Sequence, residues 1–155
     1  MKIIFLDLDG VVNYTKWYIS EEYQGLTSDQ ELDIDPSVIT RLNQLCDECN
    51  ANIVISSSWK INSYYKDRLE RSGLKNIIDK TPDLIWLKPG NYSRGEEIDF
   101  WLDNHDNIEN YIILDDVDAF TEKQQEHFLK INPMYGFTDE DFLVAKNMLS
   151  RCVNG

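Results

Sequence analysis

Two aspartates near the start of the chain have the type and spacing that metal-assisted chemistry requires. Asp7 and Asp9 follow the apolar segment Lys2–Leu6, and Gly10 comes directly after them. Two carboxylates this close repel each other unless a cation or a shared proton lies between them. A hard divalent ion such as Mg²⁺ would remove the repulsion and leave Asp7 ionised, able to act as a nucleophile. An acidic turn without a ligand is the alternative interpretation of this short motif.

Hydroxyl side chains follow a second apolar segment, at residues 52–55. Ser56 and Ser57 come directly after it, so their Oγ atoms and backbone N–H groups should lie at the same edge of a sheet as the aspartates. Such donors can hold a phosphoryl oxygen. Serines are common in loops, so this motif indicates phosphate binding only in combination with the others.

A basic residue, Arg94, stands at the start of a predicted helix. A cation is electrostatically unfavourable there, because the N-terminus of a helix already carries partial positive charge. Its presence therefore suggests a role with an anion such as phosphate. Lys88, in a Leu-Lys-Pro-Gly context, is the competing basic residue, and an ordinary surface arginine is the alternative interpretation. We favour Arg94 over Lys88.

Two further carboxylates, Asp115 and Asp116, follow the strongly apolar segment at residues 111–114. Because adjacent residues of an extended chain point in opposite directions, one can face a metal while the other braces the loop or a metal-bound water. We favour Asp116 as the direct metal ligand and Asp115 as the bracing residue. The reverse assignment stays open at this point.

The order of apolar segments predicts how these motifs are positioned. Short β-rich segments alternate with helical stretches, which is typical of an α/β protein with a mainly parallel sheet and helices on its faces. Ligands bind at the carboxyl ends of such strands, where all the motifs lie. We predict strands at 2–6, 52–55 and 111–114, and weaker ones at 77–78, 84–87 and 128–131. We predict helices at 36–49, at 61–72, from 94 onward, and from 138 onward with Thr138 as N-cap.

The segment 13–35 differs from the rest, since it is polar and aromatic and has no clear periodicity. It is long for a connection in a compact domain, and loops of roughly 20 residues are often lids or binding loops. We therefore predict a flap or lid that is too short to be a full cap domain. Its aromatic residues, together with Trp59, could stack on a nucleobase, or they could pack locally against the domain.

The bulk composition limits the class of protein. A length of 155 residues fits one domain, and a net charge of −13 disfavours non-specific binding to nucleic acid. No apolar run approaches the ~20 residues that span a bilayer, so no membrane partner is expected. Without a signal peptide, three cysteines (Cys46, Cys49 and Cys152) predict reduced thiols in a cytoplasmic protein.

The order of these motifs resembles that of the haloacid dehalogenase-like (HAD) superfamily over most of the chain. The resemblance implies a single domain at residues 1–155 with a three-layer Rossmann-like fold and no full cap. It also implies a magnesium-dependent phosphohydrolase that acts through an aspartyl-phosphate on Asp7, with Asp9 as acid and base. Mg²⁺ would be held by Asp7, Asp116 and the backbone carbonyl of Asp9. The residues that match the four motifs are Asp7, Asp9, Ser56, Arg94, Asp115 and Asp116.

A narrower resemblance, outside residues 13–35, is to the HAD domain of Swiss-Army-knife RNA repair proteins. It is carried by the segments SSSW, DKTPDL, RGEEIDFWL, YIILDDVDAF and NPMYGFTDEDFLVAKNML. The resemblance implies phosphorylated substrates such as nucleic-acid ends or nucleotides, and an uncapped site also suits phosphoproteins. The alternative is a catalytically silent phosphate-binding or partner-binding module with the same fold.

Overall fold

A central sheet of five parallel strands forms the middle of the protein. The computed structural model describes residues 1–27, 33–84, 90 and 92–151. The strand order across the sheet is β3-β2-β1-β4-β5, so the first strand of the chain lies at the centre. The strands are β1 (Lys2–Leu6), β2 (Ala51–Ile55), β3 (Ile77–Lys80), β4 (Asn110–Asp115) and β5 (Phe128–Lys130).

Helices connect the strands and cover the sheet. None of the helices in the described part of the chain is long and apolar enough to cross a membrane. The helices are α1 (Thr15–Tyr18), α2 (Glu21–Gln24), α3 (Pro36–Cys49), α4 (Tyr65–Arg71), α5 (Arg94–Asp103) and α6 (Asp139–Ser150), with 3-10 turns at Ser58–Ile61 and Glu122–His127.

The alternating side chains of the strands fill two apolar layers, one on each face of the sheet. Ile4 and Leu6 point into the larger layer, which packs against α3, α4 and α6. Ile3 and Phe5 point into the smaller layer, which packs against Ile98 and other residues of α5. This confirms the predicted α/β fold with a parallel sheet between two helical layers.

The predicted helix at 61–72 is wrong in its first residues. The helix α4 begins only at Tyr65, after the 3-10 turn. Asn62 has an extended backbone (ψ 123°), and its side-chain Oδ1 accepts a hydrogen bond from Tyr64 N, so a local turn ends the first helical element. The weak strand predicted at 84–87 lies outside the described residues except for Leu84, which is not part of a strand.

The described ends of segment 13–35 are held against the domain. Trp17 is buried, and the hydroxyl of Tyr14 donates a hydrogen bond to Asp35. Asp35 also accepts from Ser37 N, which caps α3. Tyr23 also contacts Trp17 and Tyr18 edge to face, so these aromatic rings pack against one another while the tyrosines stay partly exposed. The flap prediction stays a prediction, since residues 28–32 lie outside the described chain.

Cys46 and Cys49 are both buried free thiols. Burial is the largest cause that raises the pKa of each, to about 12 for Cys46. Thiols with raised pKa values are weak nucleophiles and poor metal ligands. This agrees with the interpretation of the C-x-x-C sequence as two unreactive thiols, while Cys152 lies outside the described residues.

Candidate active site

The strand register brings three of the predicted residues side by side. Asp7 N donates a hydrogen bond of 2.9 Å to Leu114 O, and Ser56 N donates one of 2.8 Å to Leu6 O. Asp7 and Ser56 are the first residues after β1 and β2, and Asp115 is the last residue of β4. The parallel register therefore places these three residues next to one another at one edge of the sheet. Because side chains alternate along a strand, all three should point toward the sheet face that α5 covers.

Asp7, Asp115 and Asp116 form a cluster of carboxylates at this edge of the sheet. One oxygen of each lies within 4.8 Å of the others, and Asp7 and Asp115 are buried. Gly10, with φ +84°, lets the chain pass close to Asp116, and a Cβ at this glycine would overlap the Asp116 carboxylate. The turn after Asp9 therefore requires glycine both for its backbone conformation and for the space it leaves.

The cluster is strongly unfavourable for negative charge when no cation is present. Burial, and secondly the neighbouring Asp115 carboxylate, raise the pKa of Asp7 to about 8, although Arg94 opposes this. The pKa of Asp115 is also raised, chiefly by burial, with Arg94 again opposing. Two buried carboxylates with raised pKa values, beside the half-buried Asp116, form a set of oxygen donors that is chemically suited to a hard divalent cation such as Mg²⁺.

Arg94 lies against the same carboxylates from the first residue of α5. Its Nη1 atom lies 2.6 Å from Asp115 Oδ2 and 3.3 Å from Asp7 Oδ1. The Arg94 side chain is about 29% exposed, so it also reaches the cavity in front of Asp7. The Ser93 hydroxyl caps the helix. The competing Lys88 lies outside the described residues.

Asp9 has surroundings different from those of Asp7. It is exposed, its Oδ2 atom accepts a hydrogen bond of 3.0 Å from Trp59 Nε1, and its Oδ1 atom accepts one of 3.1 Å from Asn13 Nδ2. Asn13 in turn accepts from Gly10 N at 2.9 Å. The Asp9 carboxylate is thus oriented by two neutral donors and is separate from the cluster of three carboxylates.

The two predicted serines lie in different positions relative to the cavity. Ser57 lines it and accepts a hydrogen bond of 3.3 Å from Trp59 N, which fixes the turn after β2. Ser56 is buried, and its Oγ atom has no hydrogen-bond partner within the described chain. A buried hydroxyl without a partner is costly, so a phosphoryl oxygen that reached Ser56 Oγ would satisfy it, although Ser56 is not one of the residues that line the cavity.

A buried ion pair in the cavity wall was not identified from the sequence. Lys60 Nζ donates to Glu97 Oε1 at 2.9 Å, Thr81 Oγ1 at 2.9 Å and Pro82 O at 3.1 Å. Glu97 Oε2 accepts from Leu84 N at 3.1 Å. Burial is the largest effect on the Lys60 ammonium and lowers its pKa, against the opposing contribution of Glu97. The pair joins three parts of the cavity wall, which are the 3-10 turn at Ser58–Ile61, the residues that follow β3, and α5.

One sequence signal for this pair was present in α5. Arg94, Glu97, Ile98 and Trp101 have the i, i+3, i+4, i+7 spacing of one helix face. Ile98 and Trp101 are buried, so a glutamate on the same face needs a cationic partner. The identity of that partner as Lys60 could not be read from the spacing.

A cavity of about 470 Å³ connects these groups. It is large enough for a phosphate group and part of the molecule that carries it. Its charged walls combine carboxylates, which suit a cation, with basic groups, which suit an anion. The residues that line it include Asp7, Asp9, Ser57, Lys60, Arg94 and Asp116.

The family of the chain follows from a comparison with known proteins. The family model described as the HAD domain in Swiss Army Knife RNA repair proteins matches residues 3–142, which include every predicted site residue. No curated protein and no solved structure matches the chain significantly. With its parallel sheet and its matched region covering most of the sequence, the chain belongs to this family of HAD domains.

Proposed function

We propose that the protein is a magnesium-dependent phosphomonoesterase that forms an aspartyl-phosphate on Asp7. The observation that carries this proposal is the pair of carboxylates in contrasting surroundings. Asp7 is buried against Arg94 and two further aspartates, whereas Asp9 is exposed and held by neutral donors. Arg94 and a cation bound by the neighbouring aspartates would favour the ionised, attacking form of Asp7, which leaves the exposed Asp9 to exchange protons with the leaving oxygen and with water.

The residues divide the reaction into two steps. An oxygen of Asp7 attacks phosphorus, the ester bond to the leaving oxygen breaks, and Asp9 gives that oxygen its proton. Asp9 then takes a proton from water, which attacks the phosphorus of the aspartyl-phosphate and releases phosphate and the free Asp7 carboxylate. Arg94 lies within 3.3 Å of Asp7, where it can stabilise negative charge on the phosphoryl oxygens.

The carboxylate cluster fits a bound Mg²⁺. Asp7 and Asp116, with the backbone carbonyl of Asp9, would hold the ion. Both oxygens of Asp115 accept hydrogen bonds, from Arg94 at 2.6 Å and from Val117 N at 3.0 Å, which favours Asp115 as the bracing residue. The ion would supply positive charge that offsets the charge of the phosphoryl group and the clustered carboxylates.

Magnesium affinity should rise with pH. The pKa of Asp7 in the metal-free protein is raised to about 8, so below this pH a proton must leave Asp7 before the ion binds. We expect the association constant to increase by up to about tenfold per pH unit between pH 6 and 8, and to level off above. Isothermal titration calorimetry in buffers of different ionisation enthalpy measures both the constant and the released proton. A constant that is flat over this range would contradict the prediction.

The substrates that we propose are nucleic-acid ends or nucleotides. The family description names RNA repair proteins, and the cavity in front of Asp7 is accessible from solvent. With a net charge of −13, the protein would bind such a substrate through local contacts at the site rather than through a broad basic surface. Phosphoproteins are the other large substrates that fit an open site.

A phosphate panel tests the proposed function. Wild type, Asp7→Asn and Asp9→Asn are assayed with and without Mg²⁺ on p-nitrophenyl phosphate, mononucleotides, 3′- and 5′-phosphorylated oligonucleotides and phosphopeptides. We expect magnesium-dependent phosphate release, loss to background in Asp7→Asn, and a loss of about 10²–10⁴-fold in Asp9→Asn. The exposed Asp118 provides a matched control, since Asp118→Asn removes a nearby charge and should retain activity.

Two results of this panel would contradict the proposal. If folded wild-type protein binds Mg²⁺ but releases no phosphate from any member of the panel, the chain is either a catalytically silent phosphate-binding or partner-binding module or an enzyme whose substrate lies outside the panel. Residual activity in Asp7→Asn equal to that of wild type would instead exclude Asp7 as the nucleophile.

A further inference from the structure

A second, smaller cavity adjoins the candidate active site across Trp59. It measures about 140 Å³ and is lined by Trp59, Asn62, Tyr65 and Arg68. The main cavity contains Asp9, whose carboxylate accepts a hydrogen bond of 3.0 Å from Trp59 Nε1. The indole ring of Trp59 therefore lies between the two cavities. Its N–H edge contacts Asp9, and the ring lines the smaller cavity.

The proposed reaction places the leaving group on this side of the site. Asp9 must lie within hydrogen-bonding distance of the leaving oxygen in order to protonate it. The two side chains that hold the Asp9 carboxylate are Trp59 and Asn13, and Asn13 is buried. The partly exposed Trp59 therefore offers a leaving group at Asp9 a path toward the smaller cavity, in addition to the main cavity itself.

The size and walls of the smaller cavity define what it can hold. An apolar cavity of about 150 Å³ accommodates benzene, so 140 Å³ corresponds to one six-membered ring. The Arg68 guanidinium lies over the Trp59 ring, 4.5 Å from its centroid, so a flat ring in the cavity would stack on the guanidinium face turned away from the indole, beside Tyr65. Arg68 is already ion-paired with Asp33 at 3.2 Å, so the charge of the cavity is largely balanced and a neutral ring fits better than a second phosphate.

We propose that this cavity binds the pyrimidine base of a nucleoside leaving group, a proposal that rests on the phosphatase function above. In a nucleotide, the sugar lies between the base and the ester oxygen that Asp9 would protonate. The base can therefore reach a cavity on the far side of the Trp59 indole ring while the ester oxygen stays at Asp9. In an aryl phosphate such as phosphotyrosine, the ring carries the ester oxygen itself and would stay beside Asp9. A purine, with two fused rings, is larger than the 140 Å³ of the cavity and would extend beyond it into solvent.

Substrate selectivity tests the proposal. We expect Arg68→Met to lower the ratio of kcat/KM for cytidine monophosphate to that for glycerol phosphate by about tenfold, since a base contact of this kind is lost. Asn62→Ala, at an exposed position, should change the ratio in the same direction and serves if Arg68→Met is unstable. Arg71→Met on the same helix is the matched control and should leave the ratio unchanged. A purely structural disturbance of Asp9 would lower both substrates together and leave the ratio as it was.

A binding measurement separates failure of the subsite from failure of the proposed reaction. The indole N–H signal of Trp59 in a ¹H–¹⁵N NMR spectrum is assigned by its loss in Trp59→Phe. Adding cytidine, which carries no phosphate, should shift this signal in wild type and not in Arg68→Met. If the shift occurs but no phosphate ester is hydrolysed, the subsite stands and the proposed reaction is wrong.

Two other outcomes overturn the proposal. An unchanged substrate ratio together with an unshifted Trp59 signal shows that the cavity holds no base. If Arg68→Met lowers kcat/KM for phenyl phosphate as much as it lowers kcat/KM for cytidine monophosphate, the ring binds next to Asp9. Aryl esters such as phosphotyrosine would then be the preferred substrates.

Discussion

Replacing Arg94 by methionine is expected to lower kcat/KM of the proposed phosphatase by about 10³-fold, because positive charge at a transferring phosphoryl group contributes on this scale. The guanidinium lies 3.3 Å from Asp7 Oδ1, beside the position of the attacked phosphorus. Methionine preserves most of the side-chain volume and removes the charge. Arg94→Lys, which keeps a single positive charge, should retain part of the activity.

Magnesium binding separates this role from a structural one. Arg94 repels a cation in the carboxylate cluster, so Arg94→Met should bind Mg²⁺ at least as tightly as wild type while losing turnover. Kinetics and calorimetry on the same preparation measure both. Lys88→Met is the matched comparison, and it should lose less than about threefold in kcat/KM. A large loss in Lys88→Met with little loss in Arg94→Met would transfer the phosphate-stabilising role to Lys88.

The strands and the acidic residues that end them could be predicted from the sequence. A central parallel strand is buried on both faces, so it appears as a continuous apolar run, and a polar residue marks its end. Asp7, Ser56 and Asp115 each follow or end such a run, and the parallel register makes them neighbours. Only the order of the strands in the sheet was needed in addition, and it was not predicted; the structure places β1 between β2 and β4.

Contacts between side chains far apart in sequence could not be predicted in this way. The hydrogen bond from Trp59 to Asp9 joins residues 50 positions apart, and the ion pair of Lys60 with Glu97 joins residues 37 apart. Both depend on a 3-10 turn after β2 that points these side chains toward the site. The sequence predicted a regular helix from residue 61, immediately after the lysine of this turn. That prediction rested on helical periodicity, which contains no information about the hydrogen bond that Asn62 Oδ1 accepts from Tyr64 N.

The Lys60–Glu97 ion pair supports the largest stability prediction. Both side chains are nearly buried, at 7% and 13% exposure, and every ammonium proton of Lys60 has an acceptor. Lys60→Met would leave the Glu97 carboxylate buried without its cation. We expect the free energy of unfolding to fall by about 3–5 kcal/mol, the cost of breaking a buried pair from one side. Urea denaturation of metal-free protein measures it, provided that the m-value stays unchanged.

A double variant and an exposed ion pair distinguish this cost from a general loss of a lysine. Lys60→Met combined with Glu97→Gln should recover most of the stability, because the buried charge is removed while an amide oxygen can still accept from Leu84 N. Lys66 pairs with Glu70 at the surface, where both are about half exposed, so Lys66→Met should cost less than about 1 kcal/mol. Equal losses in Lys60→Met and Lys66→Met, or no recovery in the double variant, would show that the buried pair does not hold the cavity wall together. A large loss of unfolding free energy confined to Lys60→Met would instead establish that the cavity wall depends on the Lys60–Glu97 ion pair.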